Sequence, residues 1–180
     1  MAVAAPRSRT ILLILVIAFL GSGVLVGPAR AGAFDCMSSI GDRGTTSALG
    51  APARVVAGGG GADDCGVNAR GYQHVIVTGY VVQRSFFDRL RRITRSGRRS
   101  GDDGTTVEYT QRSLGGFGGP AFSLETRSFF EGSSKPSIVR SVFVYRNGRM
   151  LRPTTIDAGP NKVATIAQLV RLARVANRGL

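Results

Sequence analysis

Asn147-Gly148 stands between two β-rich runs, and it constrains the fold of this 180-residue chain more tightly than any other dipeptide in it. A type I′ turn needs positive φ at both central residues, and Asn-Gly reaches that conformation at least cost. Ile138-Val139 and Val142-Phe143-Val144-Tyr145 lead into the turn as one strand, and Met150 to Ile156 leads out as the next. Pro153 interrupts the return run. Proline cannot donate to a ladder, so this strand is expected to be short, bulged or at a sheet edge.

Three further segments read as strands. Tyr72 to Gln83 is dense in Val, Ile and Tyr, with Gly79 suggesting a bulge or a close backbone approach. Thr105 to Arg112 is rich in Thr, Val and Tyr. In Phe122 to Phe130, Phe122, Leu124 and Phe130 alternate with Glu125 and Arg127, which the period of two places on the solvent side.

Two segments read as amphipathic helices. One begins at Ser85, a capping residue with Asp88 three positions on, and stops near Ser96-Gly97. At 100° per residue, Phe86, Leu90 and Ile93 fall on one side with Phe87 at its edge, opposite Arg89, Arg91, Arg92 and Arg95. The other begins near Pro160, with Ile166, Leu169, Val170, Ala173 and Ala176 as its apolar face and Arg171, Arg174 and Arg178 as its basic one. The predicted fold is α+β: a mainly antiparallel sheet of about five strands with two helices packed on one face, in the order β-α-β-β-β-β-α.

The first 33 residues have the three parts of a secretory signal: Arg7 and Arg9, an apolar run from Ile11 to Leu20, and small residues at Ala29, Ala31 and Ala33. Cleavage is expected after Ala31 or Ala33. The solid apolar run is short of the roughly 20 residues a membrane span needs, so an uncleaved N-terminal anchor is the secondary reading. The working chain is then secreted or periplasmic. The chain has 22 Arg but only 2 Lys, a bias typical of GC-rich bacterial genomes.

An oxidising destination makes a bridge the natural state of the two cysteines, Cys36 and Cys65. Such a bridge closes a loop of about 30 residues and is worth roughly 3.5 kcal/mol in the chain-entropy account. Residues 34–70 are rich in Gly, Ala and Ser, with Gly58 to Gly61 in a row, and read as an irregular segment tied by this bond. The α+β domain is placed at 71–180.

The net charge of the whole chain is +13. Loss of Arg7, Arg9 and Arg30 with the signal leaves 21 basic residues against 11 acidic ones, a net of +10. Such an excess favours anionic partners: nucleic acid, lipid headgroups or acidic glycans. Arginine is most concentrated at Arg84, Arg89, Arg91, Arg92, Arg95, Arg98 and Arg99, against the single acid Asp88. Guanidinium forks match phosphate and carboxylate geometry, so this region is the candidate anion-binding surface. A charged helix face left in solvent is the plain structural alternative.

Catalytic patterns are sparse. The chain contains no G-x-S-x-G, no H-E-x-x-H and no C-x-x-C, and His74 is the single histidine, so no catalytic set, metal site or cofactor is assigned. Glu108, Glu125 and Glu131 are carboxylates that a hydrolase could use, and His74 a potential base, but no spacing links them. Asp63-Asp64 and Asp102-Asp103 lack the alternating oxygens of a calcium loop. Gly115 to Gly119 is followed by Pro120 and a strand, not by the helix a phosphate cradle requires. The sequence therefore points to a non-enzymatic binding domain for an anionic partner. Two other readings remain open: an assembly subunit of a cell-envelope complex with a protein partner, and a hydrolase whose site forms only in three dimensions.

Overall fold

The Asn147-Gly148 turn has the expected backbone, with φ of 50° and 76°, and the hairpin it closes lies near the middle of a larger sheet than predicted. The computed structural model describes residues 35–58, 63–101, 104–157 and 161–179. The signal-like segment 1–33, most of the Gly58–Gly61 run, Asp102-Asp103 and Pro160 lie outside the described residues.

Eight strands form one antiparallel sheet: β1 (Ala53–Ala57), β2 (Asp64–Ala69), β3 (Val75–Val81), β4 (Gly97–Ser100), β5 (Thr106–Leu114), β6 (Ala121–Phe129), β7 (Ser137–Arg146) and β8 (Arg149–Ile156). Their spatial order is β1-β2-β3-β8-β7-β6-β5-β4. Four α-helices accompany them among the described residues: α1 (Cys36–Ile40), α2 (Asp42–Leu49), α3 (Arg84–Ile93) and α4 (Ile166–Ala176). The α+β class is right, but the five-strand, two-helix order β-α-β-β-β-β-α is not. The missing elements lie mostly in the stretch read as irregular: α1, α2, β1 and β2 occupy it. Gly and Ala mask a strand there because β2 is buried through Cys65, Gly66 and Val67 instead of through a run of large residues.

The helices also lie on both faces of the sheet, not one. The topology requires one long crossing over a sheet face, and the two cores show that it takes the face opposite α4. β3 sits third in the sheet and β4 last, so the connection between them must cross behind β8, β7, β6 and β5, and α3 is that crossing. It buries Phe87 and Leu90 against Phe122, Leu124, Phe143 and Met150, a core on what is here called the back face. Phe87 meets Phe122 edge-on at 5.4 Å, and Phe122 stacks on Phe143 at 4.7 Å. The front face carries a second core, in which Leu169, Leu172 and Ala173 of α4 pack with Val75, Val77, Val142, Val144 and Leu151. Central strands thus bury both sides, and Ala121, Phe122, Ser123 and Leu124 are consecutively buried. The two-residue alternation read in β6 was real, but both of its faces are covered there.

Pro153 lies in a central strand, opposite Val77 of β3, and not at an edge. Its missing N–H points toward β7. The β7–β8 register runs from Val139↔Ile156 to Ser141↔Thr154, skips Val142 and Phe143, and resumes at Val144↔Leu151. The sheet accepts proline by a local gap in one ladder. Gly79 makes no bulge and pairs in register with Leu151.

Local signals for the helices were partly misplaced. α3 begins at Arg84 with Gln83 as an N-cap whose side chain does not cap; Asp88, read as a capping-box partner of Ser85, pairs instead with Arg84 at 3.0 Å. α4 starts at Ile166 behind a full capping box, Thr165 with Gln168. The Cys36–Cys65 disulfide is present and ties the first turn of α1 to β2.

The two margins of the sheet differ. Two outward amides of β1 are satisfied by α2: Val55 N–H donates to Asp42 Oδ1 (2.9 Å) and Ala53 N–H to Thr46 Oγ1 (3.1 Å). β4 at the far margin has all four residues exposed.

Candidate anion-binding surface

α3 is anchored by its apolar side and by its C-terminus. The four final carbonyls of a helix have no partner within it, and here each finds one. Leu90 O accepts from Thr94 Oγ1 (2.9 Å), Arg91 O from Gln111 Nε2 (2.9 Å), Arg92 O from Arg95 N (3.4 Å) and Ile93 O from Arg99 Nη2 (2.6 Å). Gln111 reaches them from β5. Nothing in the sequence marks it, because its role depends on which residue the crossing helix ends over. Phe87, Leu90 and Thr94 are buried, Phe86 is half-buried and Ile93 is 45% exposed. The buried stripe is therefore turned from the predicted Phe86-Leu90-Ile93 toward Phe87 and Thr94.

That rotation sorts the seven arginines. Arg89 and Arg92 project from the outward face of α3, Arg95 follows its C-cap, and all three are exposed with no ion-pair partner among the described residues. Arg91, predicted on the same face, sits at the boundary and donates to Ser113 Oγ at 2.7 Å. Arg84 pairs with Asp88 and lies over the Tyr145 ring. Arg99 caps α3 and lies over Tyr109. Arg98 has the opposite side-chain parity on β4, toward the front face, 3.9 Å from Glu108. Arg171, Arg174 and Arg178 belong to the front-face helix and its final turn, so they do not extend the α3 surface.

The histidine does not join the carboxylates. His74 is exposed on the back-face side, hydrogen-bonded through Nδ1 to Asn68 Oδ1 (2.7 Å). Its ring lies over Gly66, where an added Cβ would stand 2.4 Å from it, so any larger residue at 66 would displace the imidazole. Glu108 and Glu125 face the front, so the sheet separates them from His74. Glu125, read as solvated, is half-buried between Arg140 Nε (2.7 Å) and Arg127 Nε (2.8 Å). Burial pushes its pKa up, but the hydrogen bonds and charges of Arg140 and Arg127 outweigh that and hold it below the ordinary carboxylate range. Among the described residues, no three His, Cys, Asp or Glu side chains are grouped to hold a metal ion. Asp64 Oδ1 accepts from Thr78 Oγ1 at 3.2 Å. The Gly115–Gly119 connection is a plug: Phe117 is fully buried in the front core, and Asn177 Nδ2 donates to its carbonyl at 3.0 Å.

The class defined by these features is an α+β domain with a single eight-stranded antiparallel sheet, helices on both faces and a basic helix crossing the back. Beyond that class, no protein-family model, no curated protein and no solved structure matches the chain.

Proposed function

We propose that this protein is a secreted or periplasmic, non-enzymatic domain that binds an anionic polymer through Arg89, Arg92 and Arg95. The observation that carries this reading is the division of labour among the seven arginines. Four are tied to a side chain, carbonyl or ring of the protein, and the side chains of these three have no such partner among the described residues, on a helix whose orientation is clamped at its C-terminus. Rigid presentation lowers the entropy lost on binding. The disulfide supports an oxidising compartment. No helix among the described residues is long and apolar enough to cross a membrane.

Ionic strength tests the reading, because each phosphate neutralised releases counterions. With duplex DNA as the probe, three contacts predict a log–log salt slope of about −2.7, hence roughly 40-fold weaker binding between about 50 and about 200 mM salt. Arg89→Ala, Arg92→Ala and Arg95→Ala together should abolish most of that slope. Binding that is insensitive to salt, or a slope unchanged in the triple variant, would refute it.

A further inference from the structure

The two sheet margins are treated differently by the fold. On β1, the outward N–H groups of Ala53 and Val55 are occupied by Thr46 and Asp42 of α2. On β4, register shows which groups look outward. Gly101 N–H donates to Thr105 O at the close of the β4–β5 turn, so Arg99 and Gly97, two and four residues back, also pair toward β5. The N–H and C=O of Arg98 and Ser100 therefore point away from the sheet. No side chain or backbone among the described residues is seen to hydrogen-bond them, and both residues are exposed.

A free edge recognises an extended chain, through main-chain hydrogen bonds. Charge selects which chain. Arg98 and Arg99 are successive residues of β4, so their side chains flank the edge on opposite sides, and the Arg98 side chain is 67% exposed. A second copy of β4 would set arginine against arginine, and like charges on neighbouring strands repel. Two successive acidic residues on an added strand would also project to opposite sides, one toward Arg98, whose contact with Glu108 is exposed, and one toward the guanidinium donors of Arg99 that Ile93 O leaves unused.

We infer that β4 is a docking edge for an extended segment of a partner protein that carries two adjacent acidic residues, added to the sheet as a ninth strand. The contact uses backbone groups of β4 and goes beyond the polymer reading, since it does not require Arg89, Arg92 or Arg95.

The test uses the full-length protein and a fluorescein-labelled Thr-Val-Glu-Glu-Val-Thr peptide, followed by anisotropy and by amide exchange in NMR. Binding should slow exchange at the amides of Arg98 and Ser100. Ser100→Pro removes one outward donor while retaining every arginine, and should weaken binding about tenfold or more. A probe N-methylated at the amides that would face β4 should lose affinity similarly, with the protein itself unaltered. The Arg89/Arg92/Arg95 triple alanine variant should change affinity less than about threefold. The inference fails if the probe does not bind, if the N-methylated probe binds as well as its parent, or if the Arg98 and Ser100 amides exchange unchanged. Sedimentation showing that the protein pairs with itself through β4 would also overturn it.

Discussion

Glu125 shows how one carboxylate can be read wrongly from alternation and still matter. It stands on the front face between Arg127 and Arg140, and Arg140 also reaches Ala164 O on the approach to α4 (3.4 Å). Its folded pKa is depressed, so its contribution is present above the unfolded carboxylate value, about 4.3, and is lost as pH falls through the lower folded value. Glu125→Gln should cost about 1 kcal/mol at neutral pH, modest because Arg127 is half exposed. It should also flatten the fall in stability below about pH 4.5, measured by urea unfolding across a pH series. A mutant curve parallel to the parent's through the acid range would show that another group carries that limb. Gly119 is a second residue whose role is invisible in sequence: a Cβ there would meet Tyr145 O at 2.2 Å, so the glycine admits a strand at close approach.

Among the elements, α3 has the most to lose from a single change. It makes the crossing from β3 to β4, and Phe87 is its deepest anchor, fully buried and within 5.5 Å, ring to ring, of both Phe122 and Tyr145. Phe87→Ala should destabilise the fold by about 3–4 kcal/mol, read from the midpoint of chemical denaturation, because among the described residues no second helix packs on the back core to close the cavity. Retention of the parent midpoint would mean that α3 is not held by this core. Elements with a strong local signal were legible: the Asn-Gly hairpin, the apolar periodicity of α4 and the arginine-rich α3. Elements whose identity depends on distant partners were not. β1 and β2 are short strands, with alanine in both and a glycine in β2, that exist because β3 offers β2 an edge and β2 in turn offers one to β1. β4 is four exposed residues that no burial pattern could announce. The arginine cluster was legible as a cluster, whereas its division into clamped and free members required knowing that Gln111 and Arg99 close the end of α3.

At the scale of the whole molecule, two meanders, β1 to β3 and β4 to β8, meet along the β3–β8 ladder. The disulfide belongs to the first of them, joining α1 to β2 across 29 residues of sequence. Cys36→Ser with Cys65→Ser should lower stability by about 3.5 kcal/mol, measured by guanidinium unfolding of the oxidised parent against the variant. An unchanged midpoint would mean that α1 and α2 are held by packing alone. The single-face prediction failed at this scale because sequence shows that a helix joins two strands but not how far apart those strands lie. Once β4 is placed at the opposite margin, a crossing follows, and with α4 on the front face α3 takes the back.

Asp42 and Thr46, which occupy the outward amides of Val55 and Ala53 on β1, also limit how many molecules such a sheet can recruit. With that flank largely stoppered by its own side chains, the described residues leave at most one flank, β4, open to strand addition. Open-ended stacking into fibrils needs two receptive flanks per unit, and this domain offers at most one, so any chain of units that reached it would terminate there.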